Sequence, residues 1–146
     1  MSDFRTLSDS VLASPQLTPA DVDEASAQGV TLIVNNRPEN ESPDQTPGAA
    51  IESAARAAGM DYLAIPISPG HFGPDQVQAM SDALSGARGK VLAYCRTGTR
   101  STLLWALAQA ASGEPLDATV SAAAAAGYDV SPVLPVMAEL ARRSKS

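Results

Sequence analysis

Short apolar runs rich in β-branched residues alternate with helix-forming segments along this chain of 146 residues. The runs at 30–35 (VTLIVN), 62–67 (YLAIPI) and 91–94 (VLAY) predict buried strands. Helices are predicted at 18–29, 49–58, 74–84, 101–111, 116–126 and 135–143. Strands that alternate with helices form a parallel sheet whose two faces are covered. The order of segments therefore predicts an α/β fold, a single domain with a mostly parallel sheet of about four or five strands flanked by helices.

Cap and proline positions refine these boundaries. Thr18 and Pro19 are typical of the cap and first turn of a helix. Pro66 indicates that the 62–67 strand ends there or lies at an edge of the sheet. A further edge strand is expected at 11–12. In such a sheet, functional residues are expected beyond the carboxyl ends of the strands.

Acidic residues outnumber basic ones, with 16 Asp and Glu against 10 Lys and Arg, and the formal net charge is −6. Binding to nucleic acid and polybasic attachment to a membrane both need a basic surface, so neither is expected. The chain has one cysteine and one histidine, too few for a disulfide or for the four ligands of a structural zinc site. We expect no bound metal and no cofactor.

The sequence has no apolar run close to the roughly 18 residues of a membrane-spanning helix. Its first residues, MSDFRTLSDS, do not show the charged and then apolar pattern of a secretory signal. A cytoplasmic location is therefore expected.

The segment VLAYCRTGTRS carries the chemistry of this chain. A buried strand delivers Cys95 at its carboxyl end, a short loop with Gly98 follows, and Arg100 and Ser101 open the next helix. Free amides of the loop and helix start are expected to form an anion cradle around the sulfur. A thiol beside arginines and a helix N-terminus ionises more readily than a free one and becomes a nucleophile. A cysteine that merely packs in the core would leave the glycine and the arginines unexplained.

This arrangement resembles the signature of the Cys-based protein phosphatases, with Ser101 at the position of the Ser or Thr that follows their arginine. The stretch from YLAIPI to CRTGTRS resembles their dual-specificity branch. The segment 14–41 (SPQLTPADVDEASAQGVTLIVNNRPENE) more closely resembles the bacterial phosphatase-like domain fused to β-lactamase-like hydrolases. The resemblance covers about residues 10–143 and implies one phosphatase-like domain over 1–146. Members of that family have been described both as phosphatases and as sulfurtransferases.

Two departures from the phosphatase pattern bear on the activity. Four residues, Arg96, Thr97, Gly98 and Thr99, separate the cysteine from the arginine, where phosphatases have five. The motif C-R-x-G-x-R-S resembles the shorter loop of single-domain rhodanese sulfurtransferases, and a tighter ring of amides suits a persulfide sulfur or a small sulfur oxyanion.

The second departure is at 68–70 (SPG), where dual-specificity phosphatases carry a general-acid aspartate. The nearest candidates for an acid or lid residue are His71 and Asp75. We favour the plainer interpretations, an exposed loop residue for His71 and a dipole-stabilised residue of the first helical turn for Asp75. Loss of a general acid costs roughly 10²–10⁴-fold in expelling an alkoxide, whereas persulfide transfer needs no such acid.

Arg37 follows the strand VTLIVN and should lie at the same sheet edge as Cys95. It is either a second anion clamp that contacts substrate or a surface arginine paired with Glu39 or Glu41. The residues leave these alternatives open.

The leading hypothesis from the sequence is a sulfurtransferase. Cys95 would carry a persulfide and pass the sulfur to an external thiol or sulfite. Arg100, Arg96 and the loop amides would bind the small anionic or persulfide substrate, with hydroxyl groups from Thr97, Thr99 and Ser101. The resemblance implies partnership with a metallo-β-lactamase-fold, persulfide-oxidising enzyme.

Two alternatives remain. In the first, the chain is a Cys-based phosphatase that hydrolyses phosphomonoesters through a phosphocysteine, with Arg100 and the amides holding the phosphoryl oxygens. In the second, it is a non-enzymatic anion-binding or redox-sensing module.

Overall fold

The fold is built on one five-stranded sheet, described by a computed structural model for residues 2–144. The strands are β1 (Arg5–Ser8), β2 (Val11–Ser14), β3 (Val30–Asn35), β4 (Asp61–Ala64) and β5 (Lys90–Tyr94). They lie in the order β1-β2-β5-β3-β4. All neighbours are parallel except the antiparallel pair β1 and β2. The predicted α/β fold with a mostly parallel sheet is confirmed, and β5 occupies its centre.

Six helices cover the sheet: α1 (Pro19–Ala27), α2 (Gly48–Ala57), α3 (Pro74–Gly86), α4 (Thr99–Ala111), α5 (Leu116–Ala125) and α6 (Leu134–Ser144). A 3-10 turn (Ser131–Val133) leads into α6. The cap of α1 follows the prediction, because Thr18 accepts from the Asp21 amide and the Asp21 carboxylate accepts from the Thr18 amide. Each predicted helix is present with ends shifted by a few residues at most.

Side-chain alternation along the strands divides the core into two clusters. On one face, Val91 and Ala93 of β5 join a cluster that contains the buried sides of α3, α4, α5 and α6. On the other face, Leu92 and Tyr94 pack with residues of α1 and α2. Helix α4 is buried nearly all round, as expected for a helix that packs against the sheet and its neighbouring helices at once.

Two sequence expectations about strands need correction. Residues 11–12 lie in β2, which pairs with β5 as well as β1, and the edge strand is β1. The strand predicted at 62–67 ends at Ala64, because Pro66 has no amide hydrogen for a ladder bond. The chain still follows β3 from there, since the Ile65 and Ile67 amides donate to the Asn35 and Asn36 carbonyl groups. As predicted from Pro66, β4 lies at an edge.

Among the described residues, none of the helices has both the length and the apolar character needed to cross a membrane.

The burial of α4 predicts a large cost for truncating its core side chains. Leu104 is fully buried, so Leu104→Ala is expected to lower the free energy of unfolding by about 2–5 kcal/mol. Val120 on α5 is 36% exposed, and Val120→Ala should change it by about 0.5 kcal/mol or less. Urea unfolding of both variants measures this difference, and equal costs would contradict the packing described for α4.

Candidate active site

The carboxyl end of β5 brings three chain segments together at the centre of the sheet. Tyr94, the last residue of β5, pairs with Ser14 of β2 and with Asn35 of β3. The Cys95 amide donates to the Ser14 carbonyl at 3.4 Å, and the Asn36 amide donates to the Tyr94 carbonyl at 2.8 Å. Cys95 therefore lies between the ends of two neighbouring strands, where parallel sheets carry their functional residues.

The Cys95 side chain is fully buried, and its sulfur accepts a hydrogen bond from the Gly98 amide at 3.1 Å. Gly98 is the cap residue of α4 and has a φ of 90°. That backbone conformation is strained for most residues and open to glycine. A backbone donor and the N-terminus of a buried helix thus adjoin the sulfur, as the loop sequence predicts.

Tyr128, which sequence analysis did not identify, contacts the Cys95 loop from the segment that follows α5. Its hydroxyl donates to the Thr97 carbonyl at 3.2 Å. The same hydroxyl lies so close to Gly98 that a side chain at that position would overlap it. The Arg5 guanidinium stands 5.6 Å from the Tyr128 ring centroid. The edge strand β1 and the chain after α5 therefore hold the loop in place.

Arg100 is held in one orientation by two acceptors. Its guanidinium donates to both carboxylate oxygens of Glu41, at 2.6 and 2.8 Å, and to the Ile67 carbonyl at 2.7 Å. The hydrogen bonds that Arg100 donates to Glu41 raise the pKa of this arginine, and the nearby Cys95 sulfur adds to the effect. A guanidinium has five N–H groups. The groups that do not bond to Glu41 or Ile67 are left for an anion beside the sulfur.

Arg37 clamps the other side of the same carboxylate. Its Nε donates to Glu41 at 3.0 Å, and its terminal nitrogens donate to Gln16 at 2.9 Å and to Ser42 at 3.0 Å. The arginine is only 5% exposed. Its partner is Glu41, as one of the two sequence alternatives expected, but the arginine is buried and the carboxylate is half-buried.

The group formed by Arg37, Glu41 and Arg100 has an excess of one positive charge, because two arginines share one carboxylate. The hydrogen bond from Arg100 lowers the pKa of Glu41, and Arg37 adds to that effect against the opposing cost of burial. Glu41 is therefore ionised at neutral pH. The excess charge beside Cys95 favours an anionic substrate.

Ser101 and Asn36 form a buried polar link below the loop. The Ser101 hydroxyl donates to the Asn36 side-chain carbonyl at 2.8 Å, and the Asn36 side-chain amide donates to the Ile65 carbonyl at 2.9 Å. Both residues are fully buried. The hydrogen bond from the Ser101 hydroxyl therefore links α4 to the residue that follows β3.

The remaining loop residues face outward. Thr97 and Thr99 are exposed and their hydroxyls bond to each other at 3.0 Å. Arg96 is exposed, and it lies close enough to Asp44 to help lower the pKa of that carboxyl, whose main partner is the Ser42 hydroxyl. The hydroxyls and the outer arginine therefore stand at the mouth of the site.

His71 and Asp75 lie in the part of the chain that follows β4. His71 is exposed in the loop between β4 and α3, where its amide donates to the Ser68 carbonyl at 3.0 Å. Asp75 is exposed in the first turn of α3. Neither side chain makes a hydrogen bond to Cys95 or Arg100 within the described part of the chain.

Two basic residues near the motif lie at the opposite end of the strands. Arg88 precedes β5 and donates to the Gly59 carbonyl at 3.1 Å, with Asp61 at 3.9 Å. Lys90 begins β5. Residues 83–113 contain four basic and no acidic side chains. These basic residues divide in space, and only Arg96 and Arg100 lie at the Cys95 end.

Residues 2–144 contain no group of three or more His, Cys, Asp or Glu side chains placed to hold a metal ion. The site is built from a thiol, guanidinium groups, backbone amides and one carboxylate. These groups suit covalent transfer of an anionic group to sulfur.

Sequence reasoning missed the roles of Asn36 and Tyr128 and considered Glu41 only as a partner of Arg37. Asn36 had a visible signal, since it is a polar residue placed directly after a buried strand at the expected functional edge. Tyr128 had none, because its contact with the loop spans 31 residues of sequence.

Comparison with known proteins places this site in a family. The model of the phosphatase-like domain of beta-lactamase hydrolase-like proteins matches residues 3–112. The chain is 40% identical to the beta-lactamase hydrolase-like protein of Agrobacterium fabrum over 94 residues, 64% of this chain and 22% of that protein. It is 35% identical to the protein of that name from Xylella fastidiosa over 86 residues, 59% of this chain and 20% of the relative. The chain thus spans about a fifth of the length of these curated relatives.

Solved structures give the same result. A protein of Neisseria meningitidis named as a candidate phosphatase superposes with a TM-score of 0.84 at 31% identity, covering 96% of this chain and 99% of its own. PTPMT1 superposes with a TM-score of 0.76 at 14% identity, covering 97% and 96% of the two chains. The second likeness establishes the fold alone, which is that of the Cys-based phosphatases. Because the family model covers most of the chain, this protein belongs to the family of phosphatase-like domains of beta-lactamase hydrolase-like proteins.

Proposed function

We propose that this chain is a cysteine-dependent phosphatase acting on phosphomonoesters. The Cys95 thiolate attacks phosphorus, the S–P bond forms, and the P–O ester bond breaks with departure of the alcohol oxygen. Water then attacks the phosphocysteine, which releases inorganic phosphate and returns the thiol. Arg100 and the loop amides stabilise the charge on the phosphoryl oxygens during both steps.

The orientation of Arg100 is the observation that carries this proposal. Its guanidinium is bound to Glu41 and to the Ile67 carbonyl, beside a buried thiol. Planar guanidinium groups recognise phosphoryl oxygens in pairs, and a group fixed before substrate arrives loses little entropy on binding. The excess positive charge of the Arg37, Glu41 and Arg100 group supports a dianionic substrate.

Sulfur transfer is the second candidate, and two features favour it. The loop from Cys95 to Arg100 is one residue shorter than in phosphatases, and residues 68–73 include no carboxylate to act as general acid. The family match and the solved relatives nevertheless support the phosphatase alternative better than the sulfurtransferase hypothesis with which the sequence analysis led. A partner metallo-β-lactamase-fold enzyme that oxidises persulfides belongs to the sulfur proposal. The anion-binding or redox-sensing module stands as the outcome if neither reaction occurs.

A paired assay on one preparation separates these functions. The wild-type chain receives an aryl phosphate in one arm and glutathione persulfide with a thiol acceptor in the other. We expect phosphate release, and we expect Cys95→Ser to abolish it. Arg100→Lys should lower the rate by about 10²-fold or more, because an ammonium group cannot donate two coplanar hydrogen bonds to two phosphoryl oxygens.

Mass spectrometry of Cys95 detects the persulfide expected from sulfur transfer. A gain of one sulfur on Cys95 with no phosphate release would reverse the ranking of the two reactions. Far-UV circular dichroism and thermal unfolding of both variants confirm that the loss of activity is not loss of fold.

The backbone at Gly98 gives a second prediction. Gly98→Ala would force a side chain into a φ of +90° and against the Tyr128 hydroxyl, so the loop must shift. Gly59→Ala imposes a φ of +80° with no atom within 4 Å. We expect both variants to lose about 1–2 kcal/mol of unfolding free energy, and Gly98→Ala alone to lose at least about tenfold in kcat/KM. Equal activity in the two variants would contradict the role of the loop.

The pKa of Glu41 gives a third prediction. Folding lowers this pKa, so the ionised carboxylate stabilises the folded state above its ordinary value of 4.5, and that stabilisation is lost as pH falls through the lowered value. Glu41→Gln should therefore cost about 1–3 kcal/mol near neutral pH.

The difference between wild type and Glu41→Gln should then shrink as the pH falls below 4.5. Urea unfolding at a series of pH values measures it. Glu52→Gln removes an exposed helical ion pair with Arg56 and serves as the control, with an expected cost of about 0.5 kcal/mol or less. A pH-independent cost for Glu41→Gln would mean that its charge does not stabilise the fold.

A further inference from the structure

A pocket of about 380 Å³ opens directly beside Arg100. It lies between the loop after β4, the start of α4 and the 3-10 turn. Thr99 and Arg100 form the side nearest the Cys95 loop. The other walls carry five apolar side chains, those of Pro69, Phe72, Leu103, Pro132 and Val133. Arg100 carries the only charge among the lining residues, all of which belong to the described part of the chain.

We propose that this pocket binds the non-transferred part of the substrate and that this part is a compact apolar group such as an aryl ring. The proposal rests on the function proposed above, because it names the substrate class of the same site. The anionic group would lie at Arg100 and the sulfur, and the apolar group would lie against Phe72, Leu103 and Val133.

The position of Arg100 ties the pocket to the reacting atoms. The same side chain contacts Glu41 on one side, lines the pocket on another and lies next to the Cys95 sulfur. An ester with its anionic end at Arg100 therefore has its remaining group at the mouth of this pocket. The pocket in the loop after Arg37 is lined mostly by polar side chains, among them Glu39, Asn40 and Gln45, and an apolar group there would cover polar atoms without giving them a partner.

The apolar lining of the pocket indicates that the bound part of the substrate is apolar. Leu103 and Val133 are 8% and 7% exposed, so the pocket floor belongs to the packed core and is held in shape. Ligand pockets of this kind are mostly apolar with a few polar groups that orient the ligand. A cavity of roughly 150 Å³ holds a benzene ring, so 380 Å³ accommodates one ring or two fused rings. A sugar or nucleoside would leave its hydroxyl groups without partners against these walls.

Paired phosphonates test the pocket without turnover. The Cys95→Ser chain is titrated calorimetrically with benzylphosphonate and with methylphosphonate, which differ only by the ring. We expect benzylphosphonate to bind about tenfold more tightly or better, from the apolar area that the ring buries. Equal affinities would overturn the proposal.

Matched variants locate the binding. Phe72→Ala and Val133→Thr are expected to remove most of the preference for the ring and to leave the affinity for methylphosphonate unchanged. Val136→Thr changes a neighbouring valine that is 49% exposed and does not line the pocket, and it should keep the full preference. A preference that survives Phe72→Ala and Val133→Thr would place the ring elsewhere and overturn the proposal.

A thiol reagent separates failure of the pocket from failure of the phosphatase proposal. Benzyl and methyl methanethiosulfonates each transfer their S-alkyl group to the Cys95 thiolate; an S–S bond forms and methanesulfinate leaves. Because Cys95 is the single cysteine, mass spectrometry reports its rate directly, corrected by the rate with glutathione. If neither phosphonate binds, the proposed function fails. Even then, a corrected rate severalfold higher for the benzyl reagent, lost in Val133→Thr, would support the pocket. Equal corrected rates for the two reagents would overturn it.

Discussion

The carboxylate of Glu41, shared between Arg37 and Arg100, is the interaction on which the geometry of this site depends. It connects the loop after β3 to the start of α4, two segments that the sheet brings close but does not itself join. Arg37 in turn donates a hydrogen bond to Gln16, just after β2. The cluster therefore links three segments of the chain. Loss of Glu41 would leave the two guanidinium groups largely buried and without a counter-charge, which is costly. The cluster therefore keeps its geometry only as a whole.

That cluster also sets the charge of the Cys95 end of the sheet. Glu41 neutralises one guanidinium and leaves one positive charge, so the Cys95 end of the sheet attracts anions although the whole chain carries a net charge of −6. Arg88 and Lys90 lie at the other end of β5 and contribute nothing to this effect. The local field thus comes from the partners of one carboxylate rather than from the total number of basic residues. Counting charges along the sequence is a poor guide to it.

The sequence was a good guide wherever local chemistry decides the structure. The run VTLIVN became β3 at its predicted bounds because β-branched apolar residues suit a strand buried on both faces. The Thr18 cap and the Cys95–Gly98 turn followed in the same way. Strand β1 (RTLS) was missed because its four residues have little strand propensity and pair only with β2. Glu41 and Tyr128 owe their positions to contacts across 59 and 31 residues, which no local pattern contains.

Two separate features of the molecule favour the same kind of leaving group. Residues 68–73 include no carboxylate, and neither the His71 nor the Asp75 side chain hydrogen-bonds to Cys95 or Arg100 in the described part of the chain. In the proposed phosphatase reaction, the departing oxygen would therefore receive little help from a protein acid. An alkoxide then leaves slowly, whereas an aryl oxide is a weaker base and leaves without full protonation. The pocket beside Arg100 is apolar and large enough for an aryl ring. Under the two proposals, both features favour aryl esters, since the ring that would fill the pocket is also the group that stabilises the departing negative charge.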